Sequence, residues 1–259
     1  CDLYLSIFIN MDKIAFFLPT RKGSERVKNK NTRPFAGIEG GLIENKIRQL
    51  LCCEKIDEII LSTNDETCMK VAKKFSQDKR VRIIPRPEEL CLGSTNLQDL
   101  ICYVPTITDA DHIMWGHVTT PLASSAEYDK GIELYLSKIH EGYDSLVGVT
   151  ELRNFLLKHM KEKRRLPKIL SDEELNIFLD ACENYEYKTI LERTQDLEPL
   201  YEINHTMFLA KREVYIEQKN RIGQKPLLHV MDEFHSKDID WEEDFIIAEI
   251  MYKSMHDSI

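Results

Sequence analysis

Two short segments hold the residues best suited to chemistry. The first is Leu18-Pro19-Thr20-Arg21-Lys22-Gly23-Ser24-Glu25-Arg26-Val27-Lys28-Asn29-Lys30-Asn31. From Arg21 to Arg33 there are six basic residues and one acid, in a chain whose net charge is −9. Gly23 lets the backbone bend close to a ligand, and Ser24 adds a hydroxyl. Exposed amides and cations at a strand end make a phosphate cradle. A solvated basic loop has the same composition, so charge alone leaves both readings open. Neither the G-x-x-x-x-G-K-S/T nor the G-x-G-x-x-G nucleotide fingerprint occurs.

The second segment is Lys237-Asp238-Ile239-Asp240-Trp241. Aspartates at i and i+2 point to the same side of an extended strand. Such a like-charged pair is costly unless a cation sits beside it. A hard divalent ion such as Mg²⁺ takes carboxylate oxygens and keeps waters for substrate phosphates. Asp240 also suits the N-cap of the helix that follows, with Glu243 at N3.

The elements that must position these segments follow from the pattern of apolar residues. Ile14 to Leu18 is a short, wholly apolar run, as expected of a strand buried on both faces. Strands are expected at Asp57–Leu61, Val81–Ile84, His112–Trp115, Asp144–Val149 and Thr206–Ala210. Helices are expected at Leu42–Cys53, Thr95–Val104, Ser124–His140 and Trp241–Tyr252. Thr63-Asn64-Asp65-Glu66 reads as a T-x-x-E capping box, and the helix it opens places Cys68, Val71, Ala72 and Phe75 on one face. Strands alternating with helices give an α/β fold with a mostly parallel sheet. In such sheets ligands bind at the carboxyl ends of the strands, so the loops after Leu18, Leu61, Ile84 and Trp115 should converge. The pattern breaks from about residue 153 to 203, a charged stretch that reads as an inserted arm.

Composition bounds the rest. The 259 residues, 42% apolar and 31% charged, suffice for one large domain with an appendage. The acidic balance argues against broad nucleic-acid binding. The seven cysteines form no C-x-x-C pair and read as reduced thiols of a cytoplasmic protein. Leu3 to Ile9 is apolar but too short to span a bilayer, and no other segment looks able to cross one. An N-terminal Cys1 permits a lipoprotein reading. The simpler expectation is that Met11 is the natural start and residues 1–10 are upstream sequence or a remnant.

The strand followed by R-x-G-S-x-R-x-x-x-K-N resembles the signature loop of the acylneuraminate cytidylyltransferase family, which wraps the triphosphate of CTP. Further matches keep the family's order: Leu61-Ser62-Thr63-Asn64-Asp65, Pro85-Arg86-Pro87 with Ser94-Thr95, Trp115-Gly116-His117-Val118-Thr119-Thr120-Pro121, Arg193-Thr194-Gln195-Asp196-Leu197-Glu198-Pro199 and Asp238-Ile239-Asp240. The chain departs from the family pattern in Glu25, where many members have Lys. It also has His117 in place of a Gln, and Asn204 is followed by His205 rather than Gly.

The resemblance runs from about Met11 to the last helix. It implies a three-layer, Rossmann-like fold of the nucleotide-diphospho-sugar transferase type, with residues 11–259 as the cytidylyltransferase domain. It implies transfer of CMP from CTP to an acidic sugar such as a sialic acid, with release of pyrophosphate. Nucleotide binding falls to Arg21, Gly23, Ser24, Arg26, Lys30, Asn31, Arg86 and Ser94, and sugar binding to His117, Thr119, Thr120, Arg193 and Gln195. Asp238 and Asp240 would hold Mg²⁺, and Arg21, Lys30 and Asp240 would be catalytic. The arm would make a homodimer and lend Arg193 to a neighbour's site. Other acceptors (Kdo, pseudaminic or legionaminic acid, a phosphonate) stay open, as does a catalytically silent nucleotide-binding relative.

Overall fold

The computed structural model describes residues 12–23, 26–154 and 194–256. The chain divides into two compact units, one of Cys1–Thr150 with Ile203–Ile259 and one of Glu151–Glu202. In the smaller unit, Thr194–Asp196 forms a turn of 3₁₀ helix, and the Arg153 guanidinium donates to the carbonyl of Leu197 at 2.9 Å.

A seven-stranded sheet carries the fold. Its strands are β1 (Ile14–Pro19), β2 (Glu58–Thr63), β3 (Val81–Pro85), β4 (His112–Trp115), β5 (Ser145–Leu152), β6 (Leu200–Lys211) and β7 (Pro226–Met231), in the order β3-β2-β1-β4-β6-β5-β7. β1 pairs in parallel with β2 and β4, β2 with β3, and β5 with β7, while β6 runs antiparallel to β4. The order reverses at β1. Chain leaving β1 goes one way to β2 and β3, then returns to the other side as β4. The crevice between the carboxyl ends of β1 and β4 is therefore the switch point at which such sheets bind ligands.

The described helices are α1 (Gly41–Leu51), α2 (Glu66–Lys73), α3 (Leu97–Tyr103), α4 (Ser125–Lys138), α5 (Arg212–Glu217) and α6 (Glu242–His256). The period of two along β1 sorts them into layers. Ile14, Phe16 and Leu18 pack into one core with Leu42, Ile47, Cys68, Tyr128, Ile132 and Phe245 from α1, α2, α4 and α6. Ala15 and Phe17 face the other core, with Leu100, Ile101, Val214 and Tyr215 from α3 and α5. The result is a three-layer α/β arrangement, as expected.

Two readings of helix caps are corrected, and one strand is added. The N-cap of α2 is Asp65, whose carboxylate accepts from the amides of Thr67 and Cys68. Thr63 still belongs to β2, and its hydroxyl accepts from the amide of Asp65. Before α6, the Asp244 carboxylate takes the amides of Asp240 and Trp241 at 3.2 and 2.9 Å, so the Asp240 side chain is not the cap. Finally, β7 was not anticipated. None of the described helices is long and apolar enough to cross a membrane.

Candidate active site

The basic loop after β1 is tied at both ends. At its start, the amide of Thr20 donates to Ser62 O at 3.0 Å and that of Lys22 to Asn64 Oδ1 at 3.0 Å. Arg86 is buried beneath it and donates through Nη2 to Thr20 O at 2.6 Å and through Nε to Cys91 Sγ at 3.1 Å. Gly23 has φ +85°, a left-handed conformation that a residue with a Cβ adopts only under strain. At its far end, Lys30 Nζ donates to Ile239 O at 2.7 Å, and Arg33 forms a two-pronged ion pair with Glu242 at 2.7 and 3.0 Å. The loop thus arches from β2 across to the start of α6, and brings its cations to the Asp238–Asp240 segment.

Under this arch lies a cavity of about 470 Å³ at the β1/β4 switch point. Arg21, Arg26, Lys30, Asn31 and Arg86 line it on the basic side; Trp115, His117, Val118 and Thr119 form the β4 end. Leu90, Thr95, Asn96, Leu97 and Leu100 form its third wall, from the β3–α3 connection and α3. A volume of that order is in the range of small-molecule sites.

The two aspartates sit beside the cavity. Ile239 N donates to Thr119 O at 2.9 Å, which lays the segment along the loop after β4. Burial lifts the Asp238 carboxyl above its ordinary value, opposed by the Thr119 hydroxyl next to it. Its Oδ1 is buried with no hydrogen-bond partner among the described residues. Asp240 is half-exposed and pairs with Arg26 at 2.9 Å. A buried carboxylate oxygen without a donor, two residues from a second carboxylate, is a donor set that suits a hard divalent cation. Burial lowers the Lys30 ammonium, while Asp238 and Asp240 pull it back up.

Among the residues anticipated for this site, Arg21, Arg26, Lys30, Asn31, Arg86, His117 and Thr119 are brought together around the cavity. Ser94 is exposed and outside its lining, where Thr95 and Asn96 stand instead. Thr120 is fully buried behind the loop, its hydroxyl on His117 O at 3.1 Å. Gln195 is exposed in the smaller unit, and its carbonyl accepts from Arg153 at 3.4 Å. Ser24 and Arg193 lie outside the described residues.

Sequence reading missed a clamp behind the site. Lys46 of α1 is fully buried and donates to Thr120 O at 2.8 Å and to Tyr128 Oη at 2.6 Å. Asn45 and Gln49 both donate to Pro121 O, at 2.9 and 2.6 Å. Three side chains of one helix thus fix the loop that carries His117 and Thr119. Burial brings the Lys46 ammonium down to about 7. The signal was in the sequence: Leu42, Ile43, Lys46, Ile47 and Leu50 form one helical stripe, with a lysine on its apolar face.

The sequence profile of the cytidylyltransferase family matches residues 15–225, most of the chain. The chain belongs to the cytidylyltransferase family. It is 26% identical to N-acylneuraminate cytidylyltransferase of Escherichia coli over 91% of this chain and 51% of that protein. It is 24% identical to pseudaminic acid cytidylyltransferase of Campylobacter jejuni over 93% of this chain and 97% of that one. The chain spans about half the length of the first of these relatives. In fold it is similar to CMP:2-keto-3-deoxy-manno-octonic acid synthetase complexed with CTP, at a TM-score of 0.62 and 10% identity, over 94% of this chain and 100% of that chain.

Proposed function

We propose that this cytidylyltransferase transfers CMP from CTP to a hydroxyl of an acidic sugar of the nonulosonic class, releasing pyrophosphate. The observation that carries this reading is the meeting of the basic loop with Asp238 and Asp240 beside one cavity at the sheet's switch point. The names of the relatives, which specify N-acylneuraminate and pseudaminic acid, support the acceptor class.

Arg21, Lys30 and Arg26 supply the positive charge for the triphosphate, with the amides around Gly23 and Ser24 and the Asn31 side chain completing the cradle. Holding the α-phosphorus and the attacking hydroxyl in line turns a bimolecular step into an intramolecular one, and the fixed cations stabilise the departing pyrophosphate. Arg86 braces the start of the loop from below, and Thr95 and Asn96 rather than Ser94 line the nucleoside side of this reading. Asp238 and Asp240 would hold Mg²⁺. When bound, that ion neutralises phosphate charge and makes the acceptor hydroxyl easier to deprotonate.

His117 and Thr119 form the acceptor side of this reading, with Thr120 holding the His117 carbonyl from behind, and with Arg193 and Gln195 of the 153–203 arm of a second copy assigned to the same sugar. A homodimer belongs to the same proposal and is checked by sedimentation equilibrium. Use of CTP as co-substrate fits a cytoplasmic location.

The test is pyrophosphate release with Mg²⁺, each of the four nucleoside triphosphates and a panel of sialic, pseudaminic, legionaminic and Kdo acids. Release that requires CTP and one acid is expected. Asp240→Asn should lower the rate by about 100-fold or more. CTP binding without release for any acid would overturn the reaction and leave a nucleotide-binding relative.

A further inference from the structure

Two of the residues in which the chain departs from the family pattern, His117 for a Gln and His205 for a Gly, meet each other in the structure. Their rings stand edge to face, at 90° and 5.9 Å between centroids, and the Phe208 ring backs His205 at 6.1 Å. His117 lines the cavity, and its Nε2 is buried with no hydrogen-bond partner among the described residues. His205 is exposed, so a ligand can reach its ring. It also stands near the aspartates: burial raises the Asp238 carboxyl, and His205 is among the groups that draw it back down.

The backbone at His205 suits the Gly it replaces. Its φ is +60°, in the left-handed region, where a residue with a Cβ is uncommon. The position lies in β6 beyond the last pair with β4, Trp115 with Phe208. Its neighbours hold this conformation in place. Asn204 Oδ1 accepts from the Thr206 amide at 3.2 Å, which closes a turn around His205. Asn204 is buried, and its Nδ2 donates to Thr150 Oγ1 at 3.4 Å. The hydroxyls of Thr150 and Ser236 share a hydrogen bond at 3.0 Å, and Ser236 Oγ donates to Asp232 O at 2.6 Å. One hydrogen-bonded chain therefore runs from the His205 turn to the segment that leads to Asp238. A residue in a sparsely populated backbone region persists where its surroundings over-determine it, and such residues cluster at functional sites.

We propose that His205, backed by His117, is a specificity-determining residue: its ring meets a hydroxyl or amide substituent of the acceptor sugar and selects which acid is used. The inference rests on the reading of the reaction as transfer to an acidic sugar at Asp238 and Asp240. In that reading the acceptor hydroxyl comes to these carboxylates, so an exposed side chain beside Asp238 touches the acceptor. A Gly at this position would present only hydrogen. An imidazole fills that space and adds a hydrogen-bonding edge, so it discriminates by shape and by the presence of a matching polar group. The left-handed backbone is the cost of placing a ring where the turn favours Gly.

The experiment has a kinetic arm and a binding arm. Acceptor kcat/KM is measured for N-acetylneuraminate, pseudaminate, legionaminate and Kdo with the parent, His205→Gly and His205→Ala. In both variants the preference for the best acid over the others should fall by about tenfold or more, while the CTP KM stays within about twofold. A role in folding alone would scale all four acids alike and leave the preference intact. His205→Gly should unfold at a higher urea concentration than His205→Ala, because only Gly relieves the left-handed backbone. In the binding arm, the ring nitrogens of labelled histidine are followed by NMR, with the His205 signal identified by its loss in His205→Gly. At least one of the acids should shift that signal, and CTP alone should not. A shift with an acid but no turnover would sink the proposed reaction and uphold the contact. No shift with any acid, or an unchanged preference in both variants, would overturn it. So would a selective rise in the CTP KM with the preference unchanged, since that would assign His205 to the nucleotide.

Discussion

At the scale of single residues, burial decides which groups near the site are charged. His117 is held down to about 3, first by burial and then by Arg221 and His205 beside it, so its imidazole is neutral at any working pH. A neutral ring offers one donor and one acceptor, as a Gln amide does. His117→Gln should therefore leave the acceptor KM within about threefold, and His117→Leu should raise it by about tenfold or more, as read from pyrophosphate-release kinetics. Lys46 gives a stability signature. Its folded value of about 7 lies below the ordinary 10.5, so between these values the unfolded chain binds more protons. Stability should climb as pH rises from 7 to 9, by at most about 1.4 kcal/mol per pH unit from this group. Above that window Cys53 and Cys68, both pushed up to about 12 by burial, act in the opposite direction. Urea midpoints of Lys46→Met at pH 7, 8 and 9 should lack the slope; an unchanged slope would contradict this account of Lys46.

At the scale of elements, caps and close approaches hold the strand-end loops. Asp65→Ala removes both side-chain bonds to the first turn of α2 and should cost about 1 kcal/mol in urea unfolding, with Thr63→Ala costing less. Gly116 follows β4 where a Cβ would press on the Phe16 ring and meet Thr206 O at 2.8 Å. A backbone carbonyl of the paired strand cannot give way as a side chain can. Gly116→Ala should destabilise by about 1–3 kcal/mol and move the loop that carries His117. The parallel core was legible in the sequence because β1, β2 and β4 are apolar runs buried on both faces. β7 was not: Pro226-Leu227-Leu228-His229-Val230-Met231 starts with Pro, and Leu228 and Val230 are exposed at the sheet's edge. The two capping misreadings share one cause. A T-x-x-E or D-x-x-E spacing fits several registers. The chosen register depends on where the preceding strand ends and on a competing acceptor such as Asp244, and spacing encodes neither.

At the scale of the whole molecule, this acidic chain concentrates cations in one loop, which in the proposed function holds an anionic nucleotide. Arg21, Lys22 and Arg26 are exposed there, so screening should reach them. Raising ionic strength from about 0.05 to about 0.5 M should raise the CTP KM several-fold. Much of the site was legible because its residues fall at strand ends in chain order. Lys46 was not, since its role depends on a partner far away in sequence, a carbonyl 74 residues on. The central claim is transfer of CMP to an acid. Its most direct test is phosphorus NMR and mass analysis of the products formed from CTP, Mg²⁺ and N-acetylneuraminate or pseudaminic acid. The account predicts one new phosphodiester with the mass of a CMP-sugar and an equal amount of pyrophosphate, both absent with Asp238→Asn. Free CMP or CDP with the acid unaltered would contradict it.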